Sequence, residues 1–287
     1  MKTAPLLCAH VAALAVLAAG VAAAPNSPAA APAAPTEADW RTPDPNDVLV
    51  IDTNKGRVIV ELTPVTAPQS AARLRGLARA KFYDGRAFFR VIDDFMDQTG
   101  DPTDTGTGGS TKPDLPGEFS FRRDAATPIV VTDTASGRES GFVGPTPVFS
   151  QTLDLAMLTA DHKVGAYVTY CPGVVGLARA ADPNSGNSQF FLMRSAHTAL
   201  DQKYSAPGRV IAGMDVVRAI KTGEPVEAPQ DRMLTVRVLA DLPAGQRPSV
   251  RVIDPRGPWF QAQVQRVRAE KVIGLSPCDL DLPSQVK

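Results

Sequence analysis

Cysteine and histidine are scarce in this chain: three of each among 287 residues, at Cys8, Cys171 and Cys278 and at His10, His162 and His197. Spread that way they cannot form a zinc ribbon, a CxxC redox pair or an HExxH helix, so no metal site is expected. Net charge is lacking too, since thirty basic side chains balance thirty acidic ones. The electrostatic footprint of a polyphosphate binder is therefore missing, and no nucleic-acid partner is expected. No GxSxG elbow surrounds Ser110, Ser140 or Ser188, which removes the signature of a serine hydrolase of that type. The Gly106 to Lys112 run falls short of a phosphate loop, because Thr111 stands where Gly is needed and Pro113 where Ser or Thr is needed. It reads as a tight loop. His197 and Asp201 are four apart, but with no activated nucleophile near them they read as a loop contact.

What the chain has is ordinary globular material. Apolar residues make up 44% and charged ones 21%, which excludes wholesale disorder and a coiled-coil rod. Lys2 precedes an uncharged run from Leu6 to Ala23, rich in Ala and ending in Val21-Ala22-Ala23. This is the pattern of a secretory signal peptide over 1–23, cut before Ala24; the alternative is an uncleaved anchor. From 24 to 45, seven Ala and six Pro in 22 positions cannot assemble an apolar face, and that stretch reads as a linker. Signal removal would leave Cys171 and Cys278, an even number in an oxidising compartment, so a disulfide between them is expected. It would tether a tail that looks too poor in apolar residues to hold itself in place.

Local pattern supplies most elements. Val48 to Asp52 and Arg57 to Leu62 are β-rich runs separated by Asn54-Lys55-Gly56, a hairpin. Pro68 opens a helix carrying Leu74, Leu77 and Ala78 on one face, with basic residues toward its end. Short strands are expected at 87–92, 166–170, 174–177, 189–193 and 208–212, and a second helix at 214–221. Residues 111–163 carry five prolines with little periodicity, and they read as a long loop insertion reaching to about 170. The C-terminal extension, 242–287, alternates at Val250-Arg251-Val252 and then places Phe260, Val264 and Val267 at helical spacing, as a helix docked on the domain would.

Two dense segments carry the chemistry. One contains Phe82-Tyr83-Asp84-Gly85, then Arg90-Val91-Ile92, Phe95-Met96, Gln98 and Gly100-Asp101-Pro102. The other contains Ser188-Gln189-Phe190-Phe191, with Leu200 to Tyr204 and Gly208-Arg209-Val210 following it. In that order they resemble the cyclophilin family of peptidyl-prolyl cis/trans isomerases (rotamases), over about 46–241. The resemblance implies a mainly β fold, a closed eight-stranded antiparallel barrel capped by two α-helices. It implies Arg90 and Gln98 as catalytic residues, with Phe95, Met96, Ala180, Gln189, Phe191, Leu200 and Tyr204 binding substrate. No cofactor is implied, because bond rotation needs no nucleophile. The implied partners are proline-containing polypeptides, and a monomer is expected, periplasmic or secreted, with no stable membrane insertion after signal cleavage. A non-catalytic peptide-binding module using the same groove is the alternative. Phe89, Ala199 and Tyr204 depart from the His, Trp and His found in many members, and Pro207 from a more usual aromatic. Ala199 in particular implies weak cyclosporin binding.

Overall fold

The computed structural model describes residues 33–271 and 274–287. The expected signal peptide and the linker up to residue 32 lie outside the described residues. In chain order come β1 (Trp40–Arg41), β2 (Val48–Thr53), β3 (Gly56–Leu62), α1 (Pro68–Arg79), β4 (Arg90–Ile92) and β5 (Met96–Thr99). There follow β6 (Phe121–Arg123), β7 (Ile129–Ala135), β8 (Arg138–Val143), β9 (Thr146–Gln151) and β10 (Val164–Val168). Then come β11 (Val174–Leu177), β12 (Phe190–Met193), β13 (Gly208–Ala212), α2 (Met214–Ala219) and β14 (Met233–Val238). Last are β15 (Val250–Ile253), α3 (Pro258–Glu270) and β16 (Ser284–Val286).

Eight strands form one antiparallel sheet in the order β14-β2-β3-β13-β11-β12-β5-β4. The sheet curls into a half-barrel and does not close as a ladder, which corrects the expected closed barrel. Residues 85–88 bridge its two edge strands. Gly85 donates to the Met233 carbonyl at 2.7 Å, Phe88 to that of Asp231 at 2.9 Å, and Met233 back to that of Arg86 at 2.9 Å. β4 is three residues long, and the segment beside it, which bonds it at Gly223 and Val226, is interrupted by Pro225, which has no N–H to donate.

Leu49, Ile51, Val58, Val60 and Leu62 of the first hairpin face one core with Leu74 and Leu77 of α1, Val217 of α2, and Val175, Leu192 and Val210. Val48, Val50 and Ile59, on the opposite face of the same strands, enter a second core with Phe142, Val250, Val252, Ile253, Phe260 and Val264. Successive strand residues point to opposite faces, so a run apolar at every position is a strand buried on both. The C-terminal extension is what covers the second face. It is not poor in apolar anchors, since Leu275, Leu280 and Leu282 join that core as well.

Residues 111–170 are not a loop. Strands β6-β10-β9-β8-β7 form a second, five-stranded sheet. The β7–β8 hairpin turns through Ser136 and Gly137, both at positive φ (53° and 72°), a two-residue turn whose twist suits a hairpin. Ser-Gly is a weaker signal than Asn-Gly, and the prolines around it hide the alternation. Residues 37–47, which overlap the end of the Ala/Pro-rich stretch, hold two short 3-10 turns and β1, which pairs Trp40 with Ile253 of β15. Arg41 there makes a bidentate ion pair with Glu61 of β3 at 2.7 and 2.8 Å.

Cys171 and Cys278 are joined in a disulfide with 5.0 Å between their Cα atoms, linking the start of β11 to the extension. Thiol alkylation of the denatured, unreduced protein followed by intact mass is expected to find neither thiol free. Cys278→Ser is expected to lower stability by about 2–4 kcal/mol, the usual return from closing a long loop. An unchanged urea midpoint in that variant would show that the bridge adds no stability to the packed extension.

Candidate active site

Adjacent strands of the curled sheet build the site. Antiparallel register sets Arg90 of β4 opposite Gln98 of β5, and Gln98 in turn opposite Phe191 of β12. Two residue types with different tasks are thereby brought together, a cation with its amide partner and an apolar floor. Arg90, Phe95, Met96, Gln98, Phe191, Leu200 and Tyr204 line one cavity of about 220 Å³, with Ala178 and Arg179 at its edge. The pocket walls continue into an apolar cluster that contains Met96, Tyr170, Phe191, Met193 and the disulfide. Tyr204 packs edge-on against Phe191, ring centroids 5.7 Å apart, and Tyr170 stacks on the same ring at 6.0 Å. The Phe191 ring is thus held from two sides.

Gln189 and Ala180 lie in the neighbouring groove, of about 530 Å³, with Gly106, Gly108, Asn187 and again Gln98 and Arg179 in its wall. A polar chain crosses from one cavity to the other. Arg90 Nη1 donates to Gln98 Oε1 at 3.3 Å, and Gln98 Nε2 donates to Gln189 Oε1 at 2.9 Å. Gln189 Nε2 then donates to the carbonyls of Gly106 and Gly108 at 3.0 and 2.8 Å. Each amide is oriented by the next, which fixes the oxygen of Gln98 toward Arg90.

The chain is anchored in the loop that resembled a phosphate cradle. Its backbone N–H groups hold an internal carboxylate: Thr103 donates to Asp101 Oδ1 at 2.8 Å, and Thr105, Gly106 and Gly108 to Oδ2 at 3.2, 2.5 and 3.1 Å. Burial by itself would raise the Asp101 pKa. The N–H donors outweigh it and hold the group below its ordinary value. A Cβ on Gly108 would lie 2.1 Å from Asp101 Oδ1, so the loop can wrap this closely only with glycine there. Buried Phe89, in the place of the family's His, packs under Gly106 of the same loop.

Two details differ from expectation. Both backbone groups of Ala180 are engaged internally, its N–H by Ser185 Oγ at 2.8 Å and its carbonyl by Arg179 Nη1 at 2.9 Å. The backbone of Arg179, one residue earlier, carries no hydrogen bond among the described residues. His197 and Asp201 do not meet each other. The His197 ring bonds the Asp94 carbonyl at 2.6 Å and packs on Phe95, while Asp201 accepts the Tyr170 N–H at 2.9 Å.

Two residues of the site escape sequence reasoning. Arg179 stacks over Tyr204 and Phe119, 4.6 and 5.5 Å from their centroids, and forms the rim between the two cavities. Glu224 accepts the Arg90 Nε–H at 2.5 Å from 134 residues away. The sequence around Glu224 holds no signal that would pair it with Arg90.

A curled eight-stranded antiparallel sheet thus sets an arginine and two amides at the mouth of an aromatic pocket. The model of cyclophilin-type peptidyl-prolyl cis-trans isomerases matches residues 48–239, and the chain belongs to that family. A protein of Brucella suis named a probable peptidyl-prolyl cis-trans isomerase is 32% identical over 195 residues, covering 64% of this chain and 76% of its own. The isomerase ppi1 of Schizosaccharomyces pombe is 28% identical, covering 62% of this chain and 90% of its own. Among solved structures, the cyclophilin AquaCyp293 from Hirschia baltica superposes with a TM-score of 0.79 at 36% identity, covering 86% of this chain and 93% of that one. The protein is a peptidyl-prolyl cis/trans isomerase.

Proposed function

We propose that Arg90 is the catalytic donor and that the 220 Å³ cavity beside it takes the proline ring of the substrate. Rotation about a peptide bond is opposed by about 18–20 kcal/mol, because the nitrogen lone pair is shared with the carbonyl. An X-Pro bond has cis and trans forms within about 1 kcal/mol, so the barrier alone makes the exchange slow. A guanidinium N–H aimed at the prolyl nitrogen stabilises the lone pair as it localises in the twisted state, a donor set in place before the charge develops. Phe95, Met96, Phe191 and Leu200 grip the ring while the preceding carbonyl turns. Gln98 orients Arg90, and Gln189 holds Gln98. The observation that carries this reading is a permanently charged fork at the mouth of an apolar pocket of single-ring size, below the roughly 300–1,000 Å³ of drug-sized sites. The expected result is faster cis-to-trans exchange of an X-Pro tetrapeptide by the purified chain, blocked by a competing proline peptide. Exchange at the uncatalysed rate would leave only peptide binding.

The substrates we infer are proline-containing segments of envelope or secreted proteins during folding, with the protein exported by residues 1–23 and acting as a monomer outside the cytoplasm. The apolar N-terminus and the Cys171–Cys278 bridge support that reading. A mature N-terminus beginning at Ala24 is its direct check.

Ala199 stands in a short 3-10 turn beside the pocket residue Leu200 and is exposed. It offers neither the indole N–H nor the contact area of the family's Trp. Cyclosporin A is therefore expected to inhibit weakly, and Ala199→Trp to gain sensitivity. Nanomolar inhibition of the unchanged protein would contradict this.

A further inference from the structure

Glu224 belongs to no motif of the sequence, and it stands in the segment between α2 and β14. Backbone pairing brings it to the site. Gly223 and Val91 exchange both N–H···O bonds, each 2.8 Å, and Val226 donates to the Phe89 carbonyl at 2.9 Å. These three bonds bracket residue 90, so the segment lies along the free edge of β4 as a short added strand. Val226, 3% exposed, anchors it in the main core. A Cβ on Gly223 would come within 2.7 Å of Val226 Cα and 2.8 Å of the Pro225 carbonyl oxygen, so the path past β4 needs glycine.

The guanidinium of Arg90 is then held at two of its three nitrogens. Nε donates to Glu224 Oε1 at 2.5 Å and Nη1 to Gln98 Oε1 at 3.3 Å, while Nη2 has no partner among the described residues. A planar fork fixed at two nitrogens has its plane fixed, and the third nitrogen is presented in one direction. Arg90 is 34% exposed and Glu224 55%. An ion pair that open to water adds little to folding stability. Its effect is on where the donor points.

We propose that Glu224 is a positioning residue for the isomerase reaction: by accepting the Arg90 Nε–H it sets the guanidinium plane and leaves Nη2 to donate to the prolyl nitrogen. This rests on the reading of Arg90 as the donor. Without Glu224 the side chain must find its orientation during each turnover, which costs rate without costing substrate affinity, since the apolar pocket is untouched.

The test uses the full chain and the tetrapeptide exchange assay. E224A is expected to lower kcat about fivefold, with KM and the urea midpoint each within error of wild type. E224Q keeps an oxygen acceptor at the same reach and is expected to recover most of that loss. In an R90K background, E224A is expected to have no further effect, because the fork it orients is gone. Wild-type kcat in E224A, or the same fivefold loss with R90K already present, would overturn the proposal. Wild-type turnover by R90K alone is a separate result: it overturns the donor role first and the positioning role with it.

Discussion

Arg90→Lys is expected to fold normally and to lower kcat/KM at least about tenfold, a loss of roughly 1.4 kcal/mol in transition-state stabilisation. Arg90 engages two acceptors at once, Glu224 through Nε and Gln98 through Nη1, and its third nitrogen has no partner among the described residues. A lysine ammonium is a compact point charge on a flexible stem; it can satisfy Glu224 or Gln98, but it cannot hold both and still present a directed donor to the prolyl nitrogen. The side chain is one-third exposed, so the fold loses little. Matching urea midpoints with a tenfold slower exchange is the expected pair of measurements. A folded Lys variant with near-wild-type turnover would remove Arg90 from the mechanism.

Arg194→Met is expected to act on stability, by about 3–5 kcal/mol, the cost of leaving one member of a buried ion pair behind. Arg194 follows β12, and its side chain is 2% exposed. Nε lies 2.7 Å from Asp97 Oδ1, a carboxylate with no exposure at all, and Nη1 donates to Asp93 at 2.7 Å. Nη2 donates to the carbonyls of Val217, Arg218 and Ile220 at 3.1, 2.9 and 2.9 Å, at the C-terminal end of α2. One guanidinium thus ties the pocket strand β5 to the second helix. Methionine fills the volume and satisfies none of these groups. Against a typical total stability of about 5–15 kcal/mol, the loss is large.

The same pair has a pH signature. Burial raises the Asp97 pKa from its ordinary 3.8 to about 7, with Arg194 only partly opposing it. The folded value lies above the unfolded one, so folding takes up a proton between those limits. Stability from this group is fully present at low pH, declines as pH rises through the window from 3.8 to 7, and is flat above it. Without Arg194 the folded value rises further, and the decline continues past 7. The gap between Arg194→Met and wild type is therefore expected to be wider at pH 8.5 than at 5.5 in urea titrations. A gap independent of pH would show that the cost lies in the α2 carbonyls and not in Asp97.

Elements whose cause is local were legible in the chain itself. The hairpin around Asn54-Lys55-Gly56, the helix opened by Pro68, the strands at 174–177 and 208–212, and the helical spacing of Phe260, Val264 and Val267 all match the observed elements closely. Turn chemistry and hydrophobic period act over a few residues, so they are written where they are used. The five-stranded sheet of the insertion was not legible. Its strands satisfy each other's backbone groups across the sheet, and the prolines that border them look, one residue at a time, like those of a loop. Strand β5 was missed for a related reason: Met96-Asp97-Gln98-Thr99 has no apolar alternation to read, because Asp97 is buried beside Arg194.

The site divides in the same way. Residue identities and their order along the chain determined the family, the isomerase activity and the set from Arg90 to Tyr204, because a motif is a statement about sequence. Which of those side chains share a cavity, that the Ala180 backbone is hydrogen-bonded by Ser185 and Arg179, and that Glu224 stands beside Arg90 were decided by the tertiary structure alone. The physical reason is distance along the chain. Hydrogen bonds between residues 134 apart depend on strand register and on which segment reaches the free edge of β4. Those are properties of the packed sheet, and no local pattern of residues encodes them.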